Sequence, residues 1–416
     1  MQDDSRFAPS VSMNEFGYEL PEERIAKFPL AERDQSKLLV ADAASQSVSH
    51  HRFFELASLL PEKALLVRND TKVIAARLHL AKSTGGLVEL LCLDPVAPSV
   101  DPAIALSAKR SCRWNCLIGG RKIERGSTLR LRELVATVLE KSGAQALVEF
   151  AWQTNQTFAE LLDEMGKMPI PPYLKRDANT EDKTRYQTVY AIHQGSVAAP
   201  TAGLHFTERV FQQLANKQIQ IADLTLHVGL GTFKPVESDT IAEHQMHVER
   251  IAVPLDAVEA LLAQAAMPKP CVVAVGTTSM RTLESLYWFG AKLCLDDGDA
   301  RKRNDLWVSQ WDSYRLSATS SLPSLERALN ALLEWATRNG LERISGETQL
   351  IIAPSYEFKV VDALITNFHQ PRSTLILLVA AFLGDDFWRV VYQSALDNGY
   401  RFLSYGDSSL LWRKKA

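Results

Sequence analysis

Cysteine is scarce in this sequence: five residues in 416, odd in number and irregularly spaced. That excludes a disulfide framework and points to a reducing, cytoplasmic compartment. Long apolar runs are missing too. The longest clean one, Leu375 to Leu383, falls far short of the roughly 20 residues a membrane helix needs and reads as buried core. Charge of one sign is not in excess, since 46 Lys and Arg stand against 49 Asp and Glu, a net of −3. Binding to nucleic acid or anionic lipid must therefore come from a local patch. The opening residues Met1-Gln-Asp-Asp-Ser-Arg lack the apolar stretch of a secretory signal. Ready-made signatures are absent as well: no Gly-x-Gly-x-x-Gly after a strand, no Walker loop, no His-Glu-x-x-His and no Gly-x-Ser-x-Gly. His244-x-x-His247 and Cys112-x-x-x-Cys116 do not make recognisable ligand pairs, so no metal is expected.

Hydrophobic residues at 46% and charged residues at 23% describe a globular chain with room for two or three domains, or one large domain carrying an insertion. Residues 1–12 read as a flexible tail. Ser36 to Val40 and Ala64 to Val67 read as short buried strands. Within 72–153, strand-like runs at Leu87–Leu93, Thr128–Leu131, Leu134–Leu139 and Ala146–Trp152 alternate with Gly-containing turns and no helices. That pattern predicts a small β-barrel or sandwich inserted into a larger domain made of 13–71 and 154–416. Helical patterns return at Thr157–Met165, at Glu208–Lys217 behind an N-cap Thr207, and at Leu255–Ala266 between strands Ile221–Val228 and Cys271–Val275. The clearest helix is Ser324–Asn339, capped by Ser324 and stopped at Gly340, and another spans 385–398. Alternating helices and strands predict an α/β layered domain with a partly parallel sheet. Asp296 to Asp305 reads as a charged surface loop.

Polar residues are concentrated in rigid, small-residue segments: Arg68–Thr71, Gly195–Thr207, Leu226–Phe233, Val275–Ser285 and Thr366–His369. Several follow a strand directly, where carboxyl ends of strands and helix N-termini bind ligands in α/β sheets. One patch is basic. Lys109, Arg110, Arg113, Arg121, Lys122, Arg125, Arg130 and Arg132 carry eight positive charges against the single acid Glu124, a local 8 − 1 = +7 with Trp114 among them. On a barrel this predicts a surface that tracks a phosphate backbone.

The same segments carry a family resemblance. Phe16-Gly-Tyr-Glu-Leu-Pro, Arg33-Asp34-x-Ser36, Asn69-Asp70-Thr71-Lys72-Val73-Ile74, Met168-Pro-Ile-Pro-Pro-Tyr173 and Arg185-Tyr-Gln-Thr-Val-Tyr190 occur in order. They are followed by Ser196–Thr207, Leu226–Phe233, Val275–Ser285, Phe358–His369 and Tyr400–Asp407. From about Phe16 to Leu411 the chain resembles the S-adenosylmethionine:tRNA ribosyltransferase-isomerases of queuosine biosynthesis. The resemblance implies a large α/β domain with an inserted β-barrel. It also implies transfer of the ribosyl moiety of S-adenosylmethionine to 7-aminomethyl-7-deazaguanine at the tRNA wobble position. Epoxyqueuosine is formed, and adenine and methionine are released. S-adenosylmethionine is then a substrate, with no true cofactor and no metal, and tRNA is the partner of a monomer or weak homo-oligomer.

Placing roles by residue chemistry makes His205 and His227 the candidate base or acid. Asp70 would read the deazaguanine edge or its amine. Gly229, Gly231 and Thr232 would let the donor approach the backbone. Thr277, Thr278 and Arg281 would hold its ribose or carboxylate, Arg because it grips a carboxylate bidentately. Asn367 and His369 would line the cavity, and Lys109, Arg110, Arg113, Arg121, Lys122 and Arg125 would hold tRNA. The chain departs from the family's pattern at Arg68, Ala75, Val248, Arg250 and Gln370. The stretch Tyr287–Gly340 is also longer than usual. These departures leave open a different acceptor nucleoside, or a tRNA-binding paralogue without catalysis.

Overall fold

Short runs rich in Val, Ile and Leu, cut by turns, set the strand framework of this computed structural model, which describes residues 4–120, 122–229, 236–384 and 386–414. The strands β1 (Lys37–Asp42), β2 (Ser47–Arg52), β3 (Leu65–Asn69) and β4 (Thr71–Val73) come first. The barrel strands follow: β5 (Arg77–Lys82), β6 (Leu87–Ala97), β7 (Ser111–Ile118), β8 (Thr128–Leu131), β9 (Leu134–Ser142) and β10 (Gln145–Ala151). Then come β11 (His193–Ser196), β12 (Gln220–His227), β13 (Glu249–Pro254), β14 (Val272–Val275), β15 (Leu306–Val308), β16 (Arg343–Thr348), β17 (Ala363–Asn367) and β18 (Ser408–Trp412).

Ten strands form one mixed sheet in the order β15-β16-β13-β12-β3-β14-β17-β18-β1-β2. Its centre is parallel. One row of facing residues, Ala222, Val67, Ala274 and Leu364, crosses β12, β3, β14 and β17, so their carboxyl ends finish side by side. Such strands are covered on both faces and need apolar residues throughout. Accordingly β14 and β17 are buried at every position. The helix Thr277–Cys294 follows β14 directly and is buried from Thr277 to Leu293. A helix buried all round belongs to the core rather than the surface. It packs on the helix Leu325–Arg338, whose N-cap Ser324 accepts from Arg327 N.

The expected inserted barrel is present: β10-β7-β6-β5-β8-β9 close on themselves, all antiparallel, leaving no free edge. Strand β7 fell outside the sequence expectation because its outward positions are Ser111, Arg113 and Asn115. Cys112, Trp114, Cys116 and Ile118 point inward. All five cysteines are free thiols. Two readings are corrected. Residues 4–12 are not loose: Asp4–Phe7 forms a helical turn, Asp4 pairs with Arg315 at 3.4 Å, and Met13 N donates to Asp239 O at 2.9 Å. The charged run near Asp296 also has structure. Asp297 accepts from Asp299 N and Ala300 N, caps the helix Gly298–Lys302 and lets Ala300 bury. Among the described residues no helix is long and apolar enough to cross a membrane.

Gly290 marks the closest approach of the two packed helices. A Cβ there would stand 2.3 Å from Ala328 O. Although alanine is the better helix former by about 1 kcal/mol, Gly290→Ala is expected to lower the unfolding free energy in urea by about 1–3 kcal/mol. An unchanged midpoint would refute the close packing of these helices.

Candidate active site

The aligned strand ends bring four polar groups to one edge: His227 from β12, Asn69 and Asp70 from β3, Gly276 to Thr278 beyond β14, and Asn367 to His369 from β17. Asn69 ties two of these ends together. Its Oδ1 accepts from Thr71 N at 3.1 Å and Leu226 N at 3.0 Å, while its Nδ2 donates to Leu226 O at 2.9 Å. At the third end, Gly276 takes φ +89°, a left-handed value that suits glycine, and turns the chain from β14 into its helix. The segment after β11 lies across the edge, because Val228 N donates to Ser196 Oγ at 2.9 Å.

Two cavities open there. The smaller, about 640 Å³ with its mouth, lies among Pro200–Ala202, Gly276–Thr278 and Thr366–Gln370. Leu375 and Leu403 also wall it, and among the described residues no charged side chain lines it. The larger, about 1840 Å³ with its mouth, separates barrel from sheet. Leu93, Asp94, Pro95, Leu117 and Gln145 face His227, Gly229, His244, His247 and Arg250 across it. Val228 lines the pocket while its neighbours His227 and Gly229 line the cleft, so the end of β12 stands between the two cavities.

Three histidines are kept neutral by burial. Loss of water disfavours the imidazolium and lowers His205 and His227 to about 4 and His369 to about 3. Their surroundings differ. His227 Nδ1 meets Thr71 Oγ1 at 2.9 Å, and its Nε2 has no partner among the described residues. His205 is engaged on both sides, Nδ1 with Ser36 Oγ at 2.8 Å and Nε2 with Asn367 Nδ2 at 3.3 Å. His369 Nε2 meets Thr366 Oγ1 at 2.9 Å, and its backbone N donates to Tyr392 OH at 3.1 Å. Asp70 is the buried carboxylate of the edge. Burial raises its pKa, against the hydrogen bond from Thr225 Oγ1 at 2.7 Å and the nearby His193, whose Nε2 lies 3.5 Å away.

The sequence-derived residues are thus gathered in part. Thr277, Thr278, Asn367 and His369 line the pocket, and His227 and Gly229 line the cleft. Gly231, Thr232 and Arg121 lie outside the described residues. Arg281 lines neither cavity. One helical turn beyond Thr277, its Nη1 pairs with Glu249 and its Nε donates to Leu350 O at 3.0 Å, while its Nη2 is buried without a partner among the described residues; Glu249 also faces His247 at 3.1 Å. It is therefore not placed to hold a donor carboxylate.

The basic run does not form one face. In the closed order β7 and β8 stand on opposite sides of the barrel, which separates Arg113 from Arg130. Lys109 and Arg110 precede the eight residues of β7, whereas Lys122 and Arg125 follow it, roughly 25 Å away along the strand. The count of +7 also omits acids brought in by folding: Glu149 pairs with Arg113 at 2.8 Å and Glu164 with Arg132 at 2.5 Å. Trp114 is fully buried against Phe158, with ring centroids 5.7 Å apart, and is not available to stack on a base. Arg68, where the family usually has an aliphatic or aromatic residue, lies over the Tyr190 and Phe211 rings and pairs with Asp223 at 2.6 Å.

Thr71, Ser36, Thr201, Thr366 and His193 were not singled out in the sequence. Most sit inside the quoted blocks, but hydroxyls give no pattern of their own until partners are known.

The buried histidines have a stability consequence. An unfolded His takes its proton near 6.5, whereas these take theirs near 3 to 4. Between those values the unfolded state binds more protons, and stability is lost as pH falls. The raised Asp70 carboxyl acts in the opposite sense, losing stability as pH rises through its folded pKa. Comparing urea midpoints of the wild type and His369→Gln between pH 7 and 5 isolates one histidine. The wild type is expected to lose more stability over that range, and parallel profiles would contradict a neutral His369.

The family model described as queuosine biosynthesis protein matches residues 13–411. A relative named S-adenosylmethionine:tRNA ribosyltransferase-isomerase from Thermosipho africanus is 38% identical over 405 residues, 97% of this chain and 100% of its own length. Another of that name from Aromatoleum aromaticum is 40% identical over 403 residues, 97% of this chain and 98% of its own. A crystal structure of an S-adenosylmethionine tRNA ribosyltransferase from Thermotoga maritima is 29% identical, covers 95% of this chain and 99% of that one, and gives a TM-score of 0.45. With a match from Met13 to Leu411 and relatives aligned almost end to end, the chain belongs to the queuosine biosynthesis protein family.

Proposed function

We propose that this chain is an S-adenosylmethionine:tRNA ribosyltransferase-isomerase. It moves the ribosyl moiety of S-adenosylmethionine onto 7-aminomethyl-7-deazaguanine at the wobble position and releases adenine and methionine. The observation that carries the reading is the end of β12, which stands between a pocket with no charged side chain among the described residues and a histidine-lined cleft. A donor spanning that strand end has its sugar beside His227, and a flipped-out wobble base enters from the cleft between barrel and sheet. The reaction belongs to the cytoplasm, where tRNA is modified, with the chain acting as a monomer or weak homo-oligomer.

His227 removes a C5′ proton that the adjacent sulfonium has acidified. Its low pKa keeps the imidazole unprotonated at neutral pH, and Thr71 orients the ring. Free backbone N–H groups at the start of the helix Thr277–Cys294 stabilise negative charge developing on departing adenine. Asp70 accepts from the acceptor's aminomethyl group, and its raised pKa lets it take a proton as the amine attacks. His205, with both nitrogens engaged, positions Asn367 rather than reaching substrate. Gly229, with Gly231 and Thr232 beyond it, gives the donor a path along the backbone. Residues 13–71 with 154–416 form the catalytic unit, and 72–153 the barrel unit. On that barrel Lys109, Arg110, Arg113, Lys122 and Arg125, with Arg121 between, meet separate stretches of tRNA phosphate rather than one continuous track.

His227→Gln is expected to cut adenine release with precursor-bearing tRNA at least 100-fold while S-adenosylmethionine still binds. In the wild type kcat should show no acid limb near pH 6.5, because a base lowered to about 4 stays neutral there. Near wild-type turnover in the variant, or a limb at 6.5, would assign the proton to another group.

A further inference from the structure

The charge-free pocket has a fixed hydrogen-bond polarity, set by a chain that starts outside it. Ser36 Oγ lies 2.8 Å from His205 Nδ1, and Asn367 Nδ2, which can only donate, lies on the Nε2 side. The ring proton therefore sits on Nδ1, toward Ser36. His205 Nε2 is then bare and accepts from Asn367 Nδ2 at 3.3 Å. That orientation points Asn367 Oδ1 at Thr201, whose Oγ1 donates to it at 2.8 Å. A threonine hydroxyl has one proton. With it committed to Asn367, Thr201 offers the pocket lone pairs only.

The rest of the pocket selects among the donor's parts. Ala199, Pro200, Ala202, Phe368, Leu375 and Leu403 form apolar walls. An ammonium, carboxylate or sulfonium placed there would lose water without an opposite charge to replace it. Adenine is flat, uncharged and carries a donor amine. We propose that this pocket binds the adenine of S-adenosylmethionine, and that Thr201, oriented through Asn367 and His205, accepts from its exocyclic amine. Thr201 is then a specificity-determining residue, and Asn367, His205 and Ser36 are positioning residues. This rests on the ribosyl-transfer reading above and assigns a part of the donor to one cavity of that site.

The discriminating probe is S-inosylmethionine, in which a carbonyl oxygen replaces the exocyclic amine and N1 carries a hydrogen. In the wild type it would set an acceptor against an acceptor. Calorimetry with the full chain should show it binding about 10–100-fold more weakly than S-adenosylmethionine, the span expected when a buried polar pair is mismatched. Thr201→Val removes the oxygen and should bring the two affinities within about threefold. Thr201→Ser keeps it and should keep the preference. His205→Leu releases Asn367, lets the Thr201 hydroxyl turn, and should erode the preference without abolishing binding, which a purely structural loss would not do. Equal wild-type affinities for the two donors, both measurable, overturn the adenine assignment and leave ribosyl transfer standing. Absence of any binding of S-adenosylmethionine, with or without tRNA, overturns the ribosyl-transfer reading and this assignment with it.

Discussion

The site depends on one constraint, the common register of β12, β3, β14 and β17. Because one row of residues crosses all four strands, their carboxyl ends stop together, and everything polar in the site is attached to that edge. Asn69 enforces it locally by giving both ends of its amide to β12 and β4 backbone. A slip of one residue in any of these strands would turn inward-facing side chains outward and scatter the histidines.

Burial is the second organising force, and it acts on chemistry rather than on packing alone. His205, His227 and His369 are all held neutral by loss of water, yet only His205 has both ring nitrogens engaged by neighbours among the described residues. His227 spends Nδ1 on Thr71 and His369 spends Nε2 on Thr366, and of these two only His227 lines the cleft between barrel and sheet. Three buried histidines are thus told apart by their hydrogen-bond partners and by the cavity each one lines.

That division marks the limit of what the sequence discloses. Helix caps at Thr207 and Ser324 and the apolar strands of the central sheet are written in local chemistry, and they are legible in the chain. The barrel was legible from its turns, although β7 was hidden by polar outward positions. Thr277, Thr278, Asn367, His369 and His227 could be singled out because they lie at strand ends or just past them. Arg281 could not be placed, since its fate depends on Glu249 and Leu350, distant in sequence. The basic run misled for the same reason: Glu149 and Glu164, which pair with it, arrive only when the barrel closes, and Trp114 points inward by strand alternation.

The barrel also enters and leaves the large sheet at nearly one spot. Arg77, at the start of β5, exchanges backbone bonds with Lys167, and Lys109 bridges Thr157 at the opening of the next helix. An excursion whose two ends are pinned side by side is a module set off at its stem, and Arg250, donating to Val100 O at 2.6 Å, and Arg343, paired with Asp101 at 3.6 Å, steady it against the sheet. Lineages could lengthen, recharge or reshape it without touching the strand ends where the donor would react, so the choice of nucleic acid and the chemistry of the sugar are free to drift apart.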